Sequence, residues 1–222
     1  DRKKSGLVKI QDAKRRNREN VNLMATITPD GVVKGSANFF LIDYARNGLV
    51  ARYGQDTTRY RDALVQKNKA IQIDSVQVKG LEADTLALQE SFGVAYTLTQ
   101  NGSYYLLNHN LFSGMDKNVF TSKYRFSNID FGSAYSYTST SRFTLPENFA
   151  VESLPKSTRM ALPGNDLFIL RSITQNGTTL QVDYLVEFNQ SEFYPEQYEG
   201  VKEFYKKMID LLNEPVVLKK KS

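Results

Sequence analysis

The chain has no cysteine, no tryptophan and a single histidine among its 222 residues. Each absence removes chemistry. Without cysteine there is no thiol nucleophile, no disulfide and no thiolate metal site. With one imidazole, zinc lacks its usual ligands, and a hydrolytic triad would depend on His109 alone. The acidic calcium loop of the EF-hand kind is missing, and so is a glycine-rich phosphate loop. No apolar run approaches the roughly 18 residues of a membrane-spanning helix. No cofactor and no metal are expected. What is present is a 41% apolar fraction, enough to fill a core without disulfide staples.

The net charge of +5 has a position. Residues 1–20 hold eight basic and three acidic groups, which is the whole excess; the remaining chain is balanced. A nucleic-acid binder is expected to carry a basic face on its folded body, so no nucleic-acid partner is expected. The stretch AKRRNREN reads instead as a solvated connector, residues 1–19, leading into a β-rich domain over 20–222. The chain opens on Asp1, not methionine, and is expected to be a fragment or a processed product.

Strand signals dominate the rest. Val21, Leu23, Ala25 and Ile27 alternate with polar or smaller neighbours, and Pro29-Asp30-Gly31 is turn chemistry before a second strand through Phe39 and Leu41. Between residues 45 and 68 the period changes to that of one or two short helices, with a threonine start and Tyr60, Ala63, Leu64 and Lys67 at helical spacing. In IQIDSVQV the pair Ile71 and Ile73 and the pair Val76 and Val78 have opposite parity, which a bulge near Asp74-Ser75 reconciles. Asn101-Gly102 and Asn176-Gly177 mark hairpins. Tyr135, Tyr137, Phe143 and Leu145 share a strand face, as do Leu180, Val182, Tyr184, Val186 and Phe188. From about 195 to 213, Tyr198, Val201, Phe204, Tyr205, Met208 and Leu212 form one helical stripe, after which VVL returns as an edge strand. The expected fold is mainly β: an antiparallel sandwich of about ten short strands with a C-terminal amphipathic helix, and a possible domain seam near 114–123.

Candidate chemistry is sparse. His109 reads as a half-buried strand histidine with a satisfied hydrogen bond. Asp183 and Glu187 share a strand face, a pairing that two-residue alternation produces often; glycosidic hydrolysis is the function such a pair would serve. The tyrosines are the best binding lead. Tyr135, Tyr137 and Tyr184 alternate in phase with aliphatic residues, as core aromatics do; Tyr53, Tyr104 and Tyr124 are the candidate ligand or interface residues. Asn101-Gly-Ser and Asn176-Gly-Thr match the glycan-acceptor pattern, and turn chemistry explains both.

Several stretches taken in order carry a resemblance: GLVKI before the basic connector, ITPDGVVKG, ARYGQ, YRFSNIDFG, FTLPENFAVESLP and FYPEQYEGVKEFYKKMIDLLNEPVVLKK. Over nearly its whole length the chain resembles the β-rich domain of unknown function that follows the catalytic domain in bacterial envelope proteins of the transglutaminase-like superfamily. That superfamily works through a cysteine nucleophile, which this chain lacks, so none of its catalytic residues carries over. The resemblance implies a non-catalytic accessory module, a transglutaminase-like domain of the same polypeptide as partner, and a periplasmic or cell-envelope location. A carbohydrate-binding module of the envelope is the alternative, with a glycan as partner.

The face assignment predicts that Val182→Asp or Tyr184→Asp destabilises severely, because each buries an unpaired charge, whereas Thr179→Asp or Gln181→Asp changes stability by only about 0.5 kcal/mol. Thermal melts of the four variants check it.

Overall fold

The computed structural model describes residues 15–54, 56–68, 70–82 and 87–221. GLVKI, the basic residues up to Lys14, and Gln55 of ARYGQ lie outside the described residues. In chain order the elements are β1 (Asn17–Ile27), β2 (Val32–Asp43), α1 (Tyr44–Tyr53), α2 (Thr57–Lys67), β3 (Gln72–Lys79), β4 (Leu88–Thr97), β5 (Thr99–Asn101), β6 (Tyr104–Leu107) and β7 (Ile129–Asp130). There follow β8 (Tyr135–Thr144), β9 (Phe149–Ser153), β10 (Thr158–Ala161), β11 (Leu167–Asn176), β12 (Thr179–Phe188), β13 (Glu192–Phe193), α3 (Tyr198–Asn213) and β14 (Val216–Lys220).

Eight strands form one sheet in the order β10-β11-β12-β8-β1-β2-β4-β3. It consists of two antiparallel quartets. One is built from β1 to β4, the other from β8 and β10 to β12, and they join where β1 runs parallel to β8 from Asn17↔Tyr135 to Thr26↔Thr144. A second, four-stranded sheet has the order β5-β6-β14-β9, and β7 and β13 form a short pair. The fold is thus mainly β and dominated by antiparallel pairing, with three α-helices among the described residues, as expected.

One face of the large sheet is covered. Val21, Leu23 and Ile27 of β1, Val33 and Ala37 of β2, and the full β12 row from Leu180 to Phe188 are buried there. Over it lie α1, packed on β1 and β2; α3, packed on β11; and the inner residues of the small sheet, Leu107, Val216 and Leu218. On the opposite face Asn22, Met24, Thr26, Lys34 and Arg142 are exposed, as suits an antiparallel sheet with one wet side. Tyr105 of the small sheet reaches the β1–β2 turn: a Cβ at Gly31 would stand 2.9 Å from its ring, and Gly31 also has φ +83°, so the position admits only glycine without strain. The edge strands are blunted. β10 has four residues, and β3 carries the expected bulge, with its register shifting between Asp74 and Gln77 and Ser75 at φ +53°.

Two expectations about the strands need correction. β1 begins at Asn17, inside the stretch read as a solvated connector. Low strand propensity is overridden because β1 is paired on both sides, and Arg16 and Arg18 are engaged by Asn189 and Glu187 and by Asp43, respectively. The final strand β14 is not an edge but lies between β6 and β9. Both Asn-Gly hairpins form as expected, with asparagine ending the strand and glycine as the first loop residue, φ +62° at Gly102 and +57° at Gly177. Gln181 is also less idle than its surface parity suggests, since it accepts from Arg142 and donates to Asp183. Thr179→Asp is therefore the cleaner surface control.

The stripe of α3 is buried as expected, from Tyr198 to Leu212, with Ile209 added. Its C-terminal end is received by a buried polar group. Arg171 of β11 is 1% exposed. It donates from Nη1 to the Leu211 carbonyl at 2.6 Å, from Nη2 to Glu214 Oε2 at 2.8 Å, and from Nε and Nη2 to the Lys156 carbonyl at 3.2 and 2.8 Å. His109 stands beside it, just beyond the end of β6 instead of within a strand. Its Nε2 lies 3.0 Å from the Glu214 carbonyl and its Nδ1 3.0 Å from the Tyr184 hydroxyl. A carbonyl only accepts, so Nε2 carries the proton and Nδ1 accepts from Tyr184. Two of the carbonyls that a helix end leaves without intrahelical partners are met in this way.

Burial holds His109 neutral, with its pKa lowered from 6.5 to about 4 against the opposing pull of the Glu214 carbonyl. Because the folded value lies below the unfolded one, its contribution to stability is full above pH 6.5 and is lost as pH falls toward 4, by about 3 kcal/mol in total. Denaturant titrations across that window should show the loss in the wild type and a flatter profile in His109→Gln.

Candidate functional site

A cavity lies between the covered face of the first quartet and the two helices that follow β2. It encloses about 320 Å³. The chain enters α1 abruptly: Asp43, at φ +53°, ends the strand, and Tyr44 begins the helix. Arg46, 6% exposed, anchors α1 by reaching the carbonyls of Gly80 and Leu81 at 3.4 and 3.3 Å. α2 starts at Thr57, as expected, and Asp56 before it caps the helix by accepting from the Arg59 N–H at 2.9 Å. These anchors hang Arg52 and Tyr53 of α1, and Tyr60 of α2, over the sheet.

The floor is formed by Glu19 of β1, Phe39 and Leu41 of β2, and Glu90 of β4. Phe112, from the irregular stretch after β6, closes one side. Glu90 is only 3% exposed, and its Oε2 accepts from the Tyr60 hydroxyl. Burial, followed by the negative field of Glu90, pushes the Tyr60 pKa well above the ordinary phenol value, so the hydroxyl stays protonated and donates. Tyr53 meets Tyr60 edge-on at 5.2 Å, and Phe39 meets Phe112 edge-on at the same distance. A second, smaller cavity of about 250 Å³ is lined by Tyr135, Phe188 and Tyr205 among others.

The residues singled out in the sequence are dispersed. Tyr53 lines the main cavity, half-buried, with the Arg59 guanidinium 5.9 Å from its ring centre. Tyr104 is on β6 of the small sheet under Lys219. Tyr124 is 66% exposed in the irregular segment before β7. Asp183 accepts from Thr140 and Gln181, while Glu187 faces Arg16 at 3.9 Å, so the two carboxylates serve different partners on one strand. Their α-carbons lie ~13 Å apart along the strand. Among the described residues no group of three or more His, Cys, Asp or Glu side chains is placed to hold a metal, and no helix is long and apolar enough to cross a membrane.

Glu19 and Glu90 were missed in the sequence. Their signal was there: each carries a carboxylate in the apolar parity of its strand, Glu19 in phase with Val21 and Leu23, Glu90 in phase with Leu88, Phe92 and Val94. Tyr124 was singled out, but its exposed neighbours in sequence were missed: Val119, Tyr124 and Phe126 are exposed by 62%, 66% and 95%. Nearby, the segment is pinned by buried Phe120, by Tyr198 and Lys202 donating to the Ser122 carbonyl, and by Asn128 donating to Glu192.

A mainly β domain with aromatic-walled cavities against its sheet is the class that fold and site define. The chain belongs to the DUF3858 family, a domain of unknown function with a solved structure, whose sequence profile matches residues 102–218. That span runs from the first Asn-Gly turn into β14 and contains the exposed corner; apart from Phe112, the main cavity lies outside it. A solved structure from Parabacteroides distasonis ATCC 8503, named a "putative protease", is similar over 48% of this chain at 20% identity and a TM-score of 0.40. The similarity covers 20% of that protein, so the chain spans about a fifth of its length. No curated protein matches the chain.

Removing the Tyr60 hydroxyl takes a donor from a buried carboxylate. Tyr60→Phe should destabilise the fold by about 1–3 kcal/mol in equilibrium denaturation, without changing the cooperativity of the transition.

Proposed function

We propose that the chain is a non-catalytic accessory module that makes protein contacts through the segment around Tyr124 and Phe126. The carrying observation is Phe126, 95% exposed beside Tyr124 and within a few residues of Val119. Exposed apolar side chains clustered on a pinned backbone are how a surface presents anchors to a partner, since little ordering entropy remains to be lost on docking. Arg125 adds to the pinning by donating to the carbonyls of Ser127 and Asn128. The order of stretches that resembles transglutaminase-like envelope proteins supplies the partner and place of this reading: a transglutaminase-like domain of the same polypeptide, in the periplasm or cell envelope. The lack of cysteine supports a role that does not use that superfamily's nucleophile. A carbohydrate-binding module is the second reading, favoured by the same exposed rings of Tyr124 and Phe126, which offer faces for a sugar to stack on.

Hydrogen exchange on this chain alone and on the longer polypeptide distinguishes them. The contact reading expects amides from about Val119 to Asn128 to gain protection in the longer polypeptide, and the combined Tyr124→Ser and Phe126→Ser substitution to remove that gain with an unchanged melting temperature. Equal exchange in both forms counts against it, and protection brought by an envelope glycan instead supports the second reading.

A further inference from the structure

The cavity under α1 and α2 supports an inference independent of the contact reading. Its rings stand across one another: Tyr53 and Tyr60 at 64°, Phe39 and Phe112 at 77°. Perpendicular rings make the walls of a box, not the flat open face on which a sugar stacks. The negative charge is at the floor. Glu90 and Glu19 both line the space, and Glu90 is 3% exposed, where a carboxylate attracts a cation more strongly than it does in water. Asn17 Oδ1, another acceptor from the lining, is buried without a hydrogen-bond partner. The positive charge is on α1, where Arg52 of the last turn is solvent-exposed.

We propose that this cavity binds a small alkylammonium compound. Its nitrogen sits among the ring walls above Glu19 and Glu90, drawn by ring quadrupole and carboxylate together. Its other end, neutral or anionic, lies toward Arg52. The volume of about 320 Å³ suits a ligand of this size, since small-molecule pockets begin at about 300 Å³.

Isothermal titration of the chain with choline and with trimethylglycine tests this, with glucose as the uncharged control. One-to-one binding of either ammonium probe and none of glucose is expected. Glu90→Gln, which keeps an acceptor for Tyr60, and Glu19→Gln should each weaken binding by about tenfold or more. Should Glu90→Gln fail to fold, Glu19→Gln and Tyr53→Leu, both at half-buried positions, read the same site. The proposal is overturned if neither probe binds the wild type, if the folded variants bind as the wild type does, or if glucose binds and the ammonium probes do not. Phe126→Ser should leave this binding unchanged, so failure here and failure of the contact reading are separable.

Discussion

The fold is tied together by one buried guanidinium. Apolar burial holds α3 against the sheet, but that force has no direction and would tolerate a helix shifted by a turn. Arg171 supplies the direction. It takes the Leu211 carbonyl and the Glu214 carboxylate at the end of the helix, and the Lys156 carbonyl ahead of β10. A positive group also complements the negative end of the helix dipole. His109 and Tyr184 complete the group from two other parts of the chain. Where α3 stops and β14 begins is therefore set by hydrogen-bond geometry, and the position of β14 in turn seats β6 and β9 beside it.

The two quartets of the large sheet carry different surfaces. The first holds the helix pair and the acid-floored cavity; the second follows the irregular segment with its exposed rings and lies wholly within the family-matched span. They are hydrogen-bonded into one sheet, so neither surface moves far without disturbing the other's support. The expected seam near 114–123 falls in the irregular stretch that leads from one quartet to the other, where Met115 and Phe120 are buried in the common core.

Much of this was legible in residue order. The β12 row, the α3 stripe, the helix pair, the bulge in β3 and both hairpins follow from periodicity and turn chemistry, because each is set by neighbours in sequence. What escaped depends on neighbours in space. That β1 begins as early as Asn17 comes from pairing on both sides of the strand, which no local propensity reports. Ser139 and Ser141 are buried on β8 although they read as polar; the apolar spacing of Tyr137 and Phe143 placed that face correctly, but not the small residues between them. Tyr53 was picked out for its ring, yet its cavity exists only because α2 brings Tyr60 to meet it.

The parallel junction of β1 with β8 bears on how the chain acquires its structure. Asn17 pairs with Tyr135, so the ladder closes between segments separated by more than half the length of the chain. Such closure is entropically demanding and slow compared with forming a hairpin. While the chain is being synthesised, β1 and β2 can pair as soon as both emerge, but the far side of β1 stays bare until β8 follows. A nascent or truncated product ending before Tyr135 would display a long unsatisfied strand edge, open to pairing with another copy.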